Sequence, residues 1–421
     1  MNRIVAARMV RLIVPFRTAL RTADRSWTER RLGLVVLVDA DGRQGLGELV
    51  ADDAWDQPIW AAAERELGAL VGRDVGDVVE ATGVGGPVDA TSGTRAGTRA
   101  VAAAISTAGL DLLARTAGRS LAMELDDWLD GHVGARSPGA GRSPGASGAS
   151  GASGASGASG AFLAGASAPI LRSVRVNALI GGESTDERVR VALAAVGRGA
   201  TCLKLKAIRG GSAGALVESI GALVESIGAV RDAVGSSVQL RLDANGAWTE
   251  EQAIEYMGAL TDQQLDLEYV EQPVPPELGL AALGRVRRAV HVPIAVDESV
   301  LDLAAAERLL VAGAVDVLVV KPARVGGPLE AVRIARLARA HGVPTVLSTL
   351  FETGVGLAAA LHVAALLPRT GPAHGLDTAA LLADDLVLGD LRPVEDRLTL
   401  PSGPGLGVAI DEAALERYRV G

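Results

Sequence analysis

The sequence predicts an α/β protein: a (β/α)-barrel of the modified TIM type, with an α+β domain in front of it. Three observations carry this. Single charged residues close short apolar runs: Lys204 and Lys206 close Thr201–Lys206, Asp243 closes Val238–Asp243, Glu271 closes Leu267–Glu271, Asp297 closes Pro293–Asp297 and Lys321 closes Val315–Lys321. Apolar strands that each end in a charge are how a parallel barrel gathers chemistry at one rim. From Ser173 onward, strand and helix patterns alternate through about eight units, the count of such a barrel. The residues before it do not alternate in this way. A doubly wound open sheet would also alternate, but gives no reason for carboxylates at three successive strand ends.

The 421 residues leave room for a barrel and a smaller domain. With 48% hydrophobic but only 3% aromatic residues, the core must be built from Ala, Val and Leu. A net charge of −9 and the lack of a Lys/Arg-rich block argue against nucleic-acid binding; the acidic balance reads as ordinary solubility. The single cysteine, Cys202, excludes an internal disulfide and multi-cysteine zinc sites, and its apolar surroundings assign it to packing. Arg3, Arg8 and Arg11 interrupt the apolar positions of Met1–Phe16, so no signal-peptide h-region is expected there. No apolar stretch reads as a membrane span, and a cytoplasmic location is expected. The sequence is compatible with a homo-oligomer.

Taken in order, Ile4–Val14 is rich in Val and Ile and suits a strand. Phe16–Thr28, polar and aperiodic, is expected to be a long loop that covers something. Arg31–Leu37 and Arg43–Leu49 flank Asp39-Ala40-Asp41-Gly42, a hairpin signal. Trp60–Val71 and the Ala-rich Thr98–Ala114 have helical spacing. Arg136–Ala161 runs from two Arg-Ser-Pro-Gly pieces into Gly-Ala-Ser triplets. It has nothing to bury and reads as a linker or surface loop without chemistry, and the triplets lack the proline of collagen. The expected divisions are therefore 1–135, the linker 136–161, the catalytic barrel 162–390 and a C-terminal segment 391–421.

Within the barrel, Val174–Ile180 is the first strand, and Ser184-Thr185-Asp186-Glu187 caps a helix at Ser184–Gly197. Helices are expected up to Val234 and over Thr249–Leu260, Leu278–Val290, Leu301–Ala312, Pro328–His341 and Gly356–Leu367, with late strands at Val343–Thr349 and near His374–Leu376. Ala215–Gly221 is repeated residue for residue as Ala222–Gly228. Seven residues make about two helical turns, so the duplication extends a helix and keeps its buried face.

Asp243, Glu271 and Asp297 lie 28 and 26 positions apart, each interval about one βα unit. The three carboxylates should therefore meet on consecutive strands. Three oxygen ligands without thiol or imidazole suit a hard cation, Mg²⁺ first and Mn²⁺ second. One such acid alone could equally cap the next helix. Lys204 and Lys206, two apart on a strand, share a face, and Leu203 and Leu205 turn that face inward. A lysine away from bulk water and beside other cations has a lowered pKa and can act as a base, here on a proton α to a carboxylate. Glu298 should point the opposite way from Asp297 and serve the site only indirectly.

Lys204-Leu205-Lys206, Asp243-Ala244-Asn245, Glu271-Gln272-Pro273, Asp297-Glu298-Ser299 and Lys321-Pro322 resemble the enolase superfamily, muconate-lactonizing subgroup, over nearly the whole chain. The resemblance makes the N-terminal part, with Gly45-Leu46-Gly47-Glu48, an α+β capping domain, and Pro404-Gly405-Leu406-Gly407 the chain's return to it. Phe16–Thr28 and Val50–Trp55 would be cap loops over a small carboxylate substrate. It implies Mg²⁺ on Asp243, Glu271 and Asp297, Lys206 as general base, Lys321 on the opposite side of the substrate and Lys204 on its carboxylate. Asn177, Glu352-Thr353-Gly354-Val355-Gly356 and His374-Gly375-Leu376-Asp377-Thr378 are most similar to the o-succinylbenzoate synthases, which dehydrate a cyclohexadiene carboxylate in menaquinone synthesis. Substrate contacts are then expected from Asn245, Arg17, Ser348, Glu352 and His374. Arg17, Arg21 and Arg25 would equally suit the carboxylate of a dipeptide or acyl-amino acid. A dipeptide epimerase or N-acylamino acid racemase, with Lys206 and Lys321 on opposite faces of one carbon, is the main alternative, and a muconate-type cycloisomerase the next. A Schiff-base aldolase would not need three metal-spaced carboxylates, and a non-catalytic barrel would not need the complete set of acids and bases. The five histidines avoid the motif strand ends apart from His374, which argues against a histidine base.

Overall fold

A computed structural model of the chain describes residues 3–21, 26–50, 57–82, 95–133, 169–207 and 219–420. The Gly-Ala-Ser segment, most of the Val50–Trp55 stretch, Arg25 and most of the first copy of the duplicated heptad lie outside the described residues. The N-terminal part is an antiparallel sheet of β1 (Ile4–Arg21), β2 (Ser26–Asp39) and β3 (Gln44–Leu49) in the order β1-β2-β3. Asp39 makes the expected β2–β3 turn, its Oδ1 accepting the N–H groups of Asp41 and Arg43. Of the expected loop Phe16–Thr28, the described residues 16–21 and 26–28 are strand. They form most of the far end of the β1–β2 hairpin, with Leu20 opposite Trp27 and Arg21 opposite Ser26. The ladder slips between Pro15 and Leu20, and Arg17, Thr18 and Ala19 are exposed, so this end shows no apolar alternation in sequence.

Strand β2 is buried on both faces. Leu32, Leu34 and Val36 join the main core, whereas Val35 and Leu37 pack with the helices α1 (Gln57–Leu70), α2 (Val75–Thr82) and α3 (Arg95–Thr116). Gly45 and Gly47 let α3 lie directly on β3, since a Cβ at either would stand 2.1 Å from the Ala108 carbonyl oxygen or 2.0 Å from that of Ala104. The alternate residues Leu46 and Glu48 then face the barrel. Helix α4 (Leu121–Val133) closes this part of the fold; neither it nor α2 was legible in the apolar pattern.

The barrel starts with β4 (Ser173–Arg175) and β5 (Ala178–Ile180), which divide the first expected strand. Then follow α5 (Thr185–Gly197), β6 (Cys202–Lys206), α6 (Ile220–Val234), β7 (Gln239–Asp243), α7 (Glu250–Asp262), β8 (Leu267–Glu271) and α8 (Gly279–Ala289). The second half has β9 (Ile294–Val296), α9 (Leu303–Val311), β10 (Val317–Val320), the single turn α10 (Pro322–Val325), α11 (Pro328–Ala340), β11 (Thr345–Leu347) and α12 (Gly354–Ala364). Strands β5 to β11 form one parallel sheet in chain order. The expected last strand near His374 contributes only single bridges: His374 to Val176 and Gly375 to Ser348 join the two edges of the curled sheet. Strand β12 (Arg397–Thr399) pairs antiparallel with β4, and α13 (Glu412–Tyr418) ends the chain's regular structure.

Alternation along each strand separates two environments. Leu203, Leu205, Leu240, Leu242, Val270 and Leu318 join the core beneath the helices. Inside the barrel, Tyr269, Ala295, Val317, Val319 and Val346 form a small apolar cluster on the β8–β11 side. The β6–β7 side carries Cys202, Lys204 and Arg241 instead. Arg241 is fully buried: its Nε donates to Glu268 (2.6 Å), its Nη1 to Asn177 Oδ1 (2.9 Å) and the Ala373 carbonyl (2.8 Å), and it lies over the Tyr269 ring.

Buried polar groups fasten the cap, barrel and C-terminal return together. Asp111 on α3 accepts from the Leu46 and Leu406 N–H groups and from Arg115 Nε. His362 on α12 accepts from the Ala122 N–H at Nδ1 and faces the Leu406 carbonyl with Nε2, which fixes the Nε2–H tautomer. Burial pushes the His362 pKa down to about 4 and, with Arg241, that of His374 to about 3. Each neutral imidazole favours the folded state above its unfolded pKa of 6.5 and loses that advantage as pH falls toward the folded value, for His362 on the order of 3 kcal/mol. Glu48 opposes this, because burial beside Glu352 raises it to about 7 and its folded-state protonation favours acid. A His362→Gln variant should therefore lose less melting temperature than wild type between pH 6.5 and 4. Parallel curves from thermal denaturation would contradict a neutral, buried clamp.

Candidate active site

Strands β6, β7 and β8 end in register: Lys206 pairs with Asp243, and Asp243 with Glu271. The expected residues meet there. Lys204 Nζ lies 3.0 Å from Asp243 Oδ2 and 2.7 Å from Glu271 Oε1, so its ammonium stands between two carboxylates. Lys206 Nζ lies 3.4 Å from Asp243 Oδ2 and donates to Asn245 Oδ1 at 2.7 Å. Lys321 Nζ reaches Asp297 Oδ2 at 2.6 Å. Arg324, which sequence reasoning missed, donates to Asp297 Oδ1 at 2.5 Å from the single turn that Pro322 opens. Its signal was its place three residues after Lys321, one helical turn on.

The turns after the strands hold these groups. Asn245 and Gln272 adopt left-handed φ values of 48° and 41°. The Asn245 N–H bonds Asp243 Oδ1. Gln272 Oε1 accepts the N–H groups of Asp297 and Ser299, and its amide donates to Val274 O and Ser299 Oγ, so the Glu-Gln-Pro segment braces the Asp297 segment. Glu298 serves the site indirectly, through Asn245, as expected, but does not point away from it. Strand β9 ends at Val296, strict alternation no longer applies, and Glu298 Oε1 accepts from Asn245 Nδ2 at 3.3 Å.

Burial favours the neutral carboxyl for all three acids, and the cations decide the outcome. Lys204 and Lys206 outweigh burial at Asp243 and hold its pKa below the usual range; Arg324 and Lys321 do the same for Asp297. At Glu271, burial together with Asp243 and Asp297 wins over Lys204, and its pKa rises. Lys204 is raised, because its carboxylate neighbours outweigh burial. The lowered pKa expected of a desolvated lysine does not apply to it.

The other expected contacts lie around this centre in different ways. Ser348 is half-buried, its Oγ donating to the Gly375 carbonyl. Glu352 is buried and accepts from the Leu350 N–H. Glu48 faces the same segment and accepts from Thr353 N, Thr353 Oγ1 and Gly356 N, so a cap carboxylate holds the start of α12. Arg17 is exposed on β1 with no bond to these groups. His374 is not at the rim. Its Nδ1 accepts from the Leu347 N–H, and its ring is buried near Arg241, deeper in the barrel.

The family follows from these strand ends and from the sequence together. Residues 187–414 match the enolase C-terminal domain-like family model. This chain belongs to the enolase superfamily. It is 38% identical over 234 residues to o-succinylbenzoate synthase of Thermobifida fusca, covering 55% of this chain and 67% of that protein. It is 34% identical over 174 residues to L-Ala-D/L-Glu epimerase of Bacillus subtilis, covering 41% of this chain and about half, 47%, of that protein. The fold superimposes on a muconate lactonizing enzyme of Pseudomonas fluorescens with a TM-score of 0.79 at 22% identity, over 100% of both chains.

Three carboxylates offering only oxygen suit a hard divalent cation, and the Lys204 ammonium already stands between two of them. As the side chains lie, no three acidic, His or Cys residues among those described are close enough to share one ion. A Lys204→Met variant leaves Asp243 and Glu271 buried without their shared cation. In chelator-treated protein it should lose about 3–5 kcal/mol of unfolding free energy in urea. The loss should be larger at pH 8 than at pH 6, where Glu271 can take up a proton. An unchanged stability would show that Lys204 does not neutralise the pair.

Proposed function

We propose that this superfamily member is a carbon–oxygen lyase that dehydrates a cyclohexadiene carboxylate to 2-succinylbenzoate, the o-succinylbenzoate synthase reaction of menaquinone synthesis. One observation supports the chemistry above others: of 41 basic residues only Lys204, Lys206 and Lys321 are lysines, and all three contact the carboxylate cluster. Arginine serves everywhere else, and arginine cannot give up its proton. The lysines stand where an amine would have to exchange one.

Asp243, Glu271 and Asp297 would hold Mg²⁺, with Mn²⁺ as the alternative. When bound, the cation supplies positive charge against the substrate carboxylate and the charge that develops beside it. Lys206 takes the α-proton. As an ammonium it then gives that proton to the departing hydroxide, which leaves as water, and the ring becomes aromatic. Lys321, held by Asp297, stabilises negative charge from the other side without moving a proton, and Lys204 faces the substrate carboxylate. The higher identity to the synthase and its longer alignment favour dehydration. The epimerase reading keeps the same groups, with Lys321 as a second acid–base on the opposite face; a cycloisomerase is the third.

Lys206→Ala should lower kcat for dehydration by at least about 10³-fold, and removal of divalent ions with EDTA should abolish activity until Mg²⁺ is restored. Dehydration is followed by product absorbance and epimerisation of L-Ala-L-Glu by chiral chromatography. Turnover of the dipeptide with no aromatic product would replace the lyase assignment with the epimerase one. Full activity in Lys206→Ala would remove the lysine base from both.

A further inference from the structure

Two carboxyl groups that the chemistry above does not use meet where the cap touches the barrel. Glu48 on β3 and Glu352, in the segment between β11 and α12, are 4% and 2% exposed. A Cβ at Gly356 would stand 2.5 Å from Glu352 Cγ and 3.4 Å from Glu48 Oε2, so both side chains lie against one turn. Glu48 is the cap's grip on that turn: it accepts from Thr353 N (2.9 Å), Thr353 Oγ1 (2.7 Å) and Gly356 N (3.0 Å). Arg30 on β2 and Lys321 favour an ionised Glu352, but Lys321 is already held by Asp297. Asp385 adds a further acid from the C-terminal side, accepting from the Gly354 N–H. Burial outweighs the cations. It raises Glu352 and, with the Glu352 charge, pushes Glu48 up to about 7. Two such neighbours titrate as a unit.

The segment they hold is strained. Phe351 has a φ of 62°, in the left-handed region that an aromatic residue rarely enters. Thr349 Oγ1 accepts its N–H, and its ring rests edge to face against Phe16 of the cap.

We propose that Glu48 and Glu352 form a proton-linked latch between cap and barrel. While the two carboxyl groups share a proton, Glu48 grips Thr353 and Gly356. Once that proton is lost, two buried like charges repel and the segment 348–356 comes away from Glu48, helped by the strain at Phe351. An acid raised in the folded state stabilises the closed arrangement fully below its ordinary value of 4.5, and that contribution is lost as pH rises through the folded value. The grip therefore weakens from pH 6 to pH 8.5. The latch does not depend on which reaction the lysines perform.

Amide hydrogen exchange of the full chain tests it, read in peptides spanning 348–357 and corrected for the intrinsic pH dependence of exchange. Wild type should lose protection there by at least about tenfold between pH 6 and pH 8.5, while peptides from α11 stay unchanged. Glu352→Gln cannot ionise, so it should keep its protection across the range and be better protected than wild type at pH 8.5. A carboxylate with a structural role alone would lose protection at every pH when replaced. Glu48→Gln gives up an acceptor along with its charge, so it should be less protected than wild type at pH 6 and lose nothing further by pH 8.5. A flat wild-type profile, an equal loss in α11, or Glu352→Gln no better protected than wild type at pH 8.5 would overturn the latch.

Discussion

Three buried carboxylates share the barrel mouth, and their negative charge has to be met by cations placed against them. Asp243, Glu271 and Asp297 are each 2% exposed or less, and three carboxylates cannot be held together that far from water without cations. Lys204 neutralises two of them, Lys206 adds to one, and Lys321 with Arg324 serves the third. Lys204 thus lies on the polar β6–β7 side of the interior, whereas Tyr269, Ala295, Val317, Val319 and Val346 fill the other side.

The cap is joined to the barrel by the same physical means, buried acceptors that satisfy backbone donors. Glu48 holds the start of α12, Asp111 joins Leu46 to Leu406, and His362 joins α4 to the C-terminal return. Each would leave unpaired buried groups if removed, so the cap's position over the rim is fixed by few but costly contacts. The hairpin end at Phe16–Thr28 extends beyond this fastened region. There Phe16 meets Phe351 edge to face at 6.0 Å, which brings a cap side chain against the loop that follows β11.

Much of this was legible in the sequence, for identifiable reasons. Period-two alternation gave the inward face of Lys204 and Lys206, and apolar runs ending in charge gave the three acids. Residues beyond strand ends were not legible. Glu298 lies past the end of β9, where alternation stops, and Arg324 lies in a single turn opened by Pro322. The hairpin end was hidden because exposed strands lack an apolar face. Gly45 and Gly47 were recognised as a motif, but their reason, the approach of α3 to within a Cβ of β3, is a tertiary fact. His374 was expected in a short last strand near the site, yet its ring is buried near Arg241, deeper in the barrel.

In the proposed reaction, Asp243, Glu271 and Asp297 would form one cation site with Lys204 as its displaceable occupant. Anomalous diffraction from crystals grown with Mn²⁺ tests it most directly. A single strong peak is expected among the three carboxylates, with the Lys204 ammonium withdrawn from between Asp243 and Glu271. A peak elsewhere, or Lys204 still bridging the pair at saturating Mn²⁺, would contradict it.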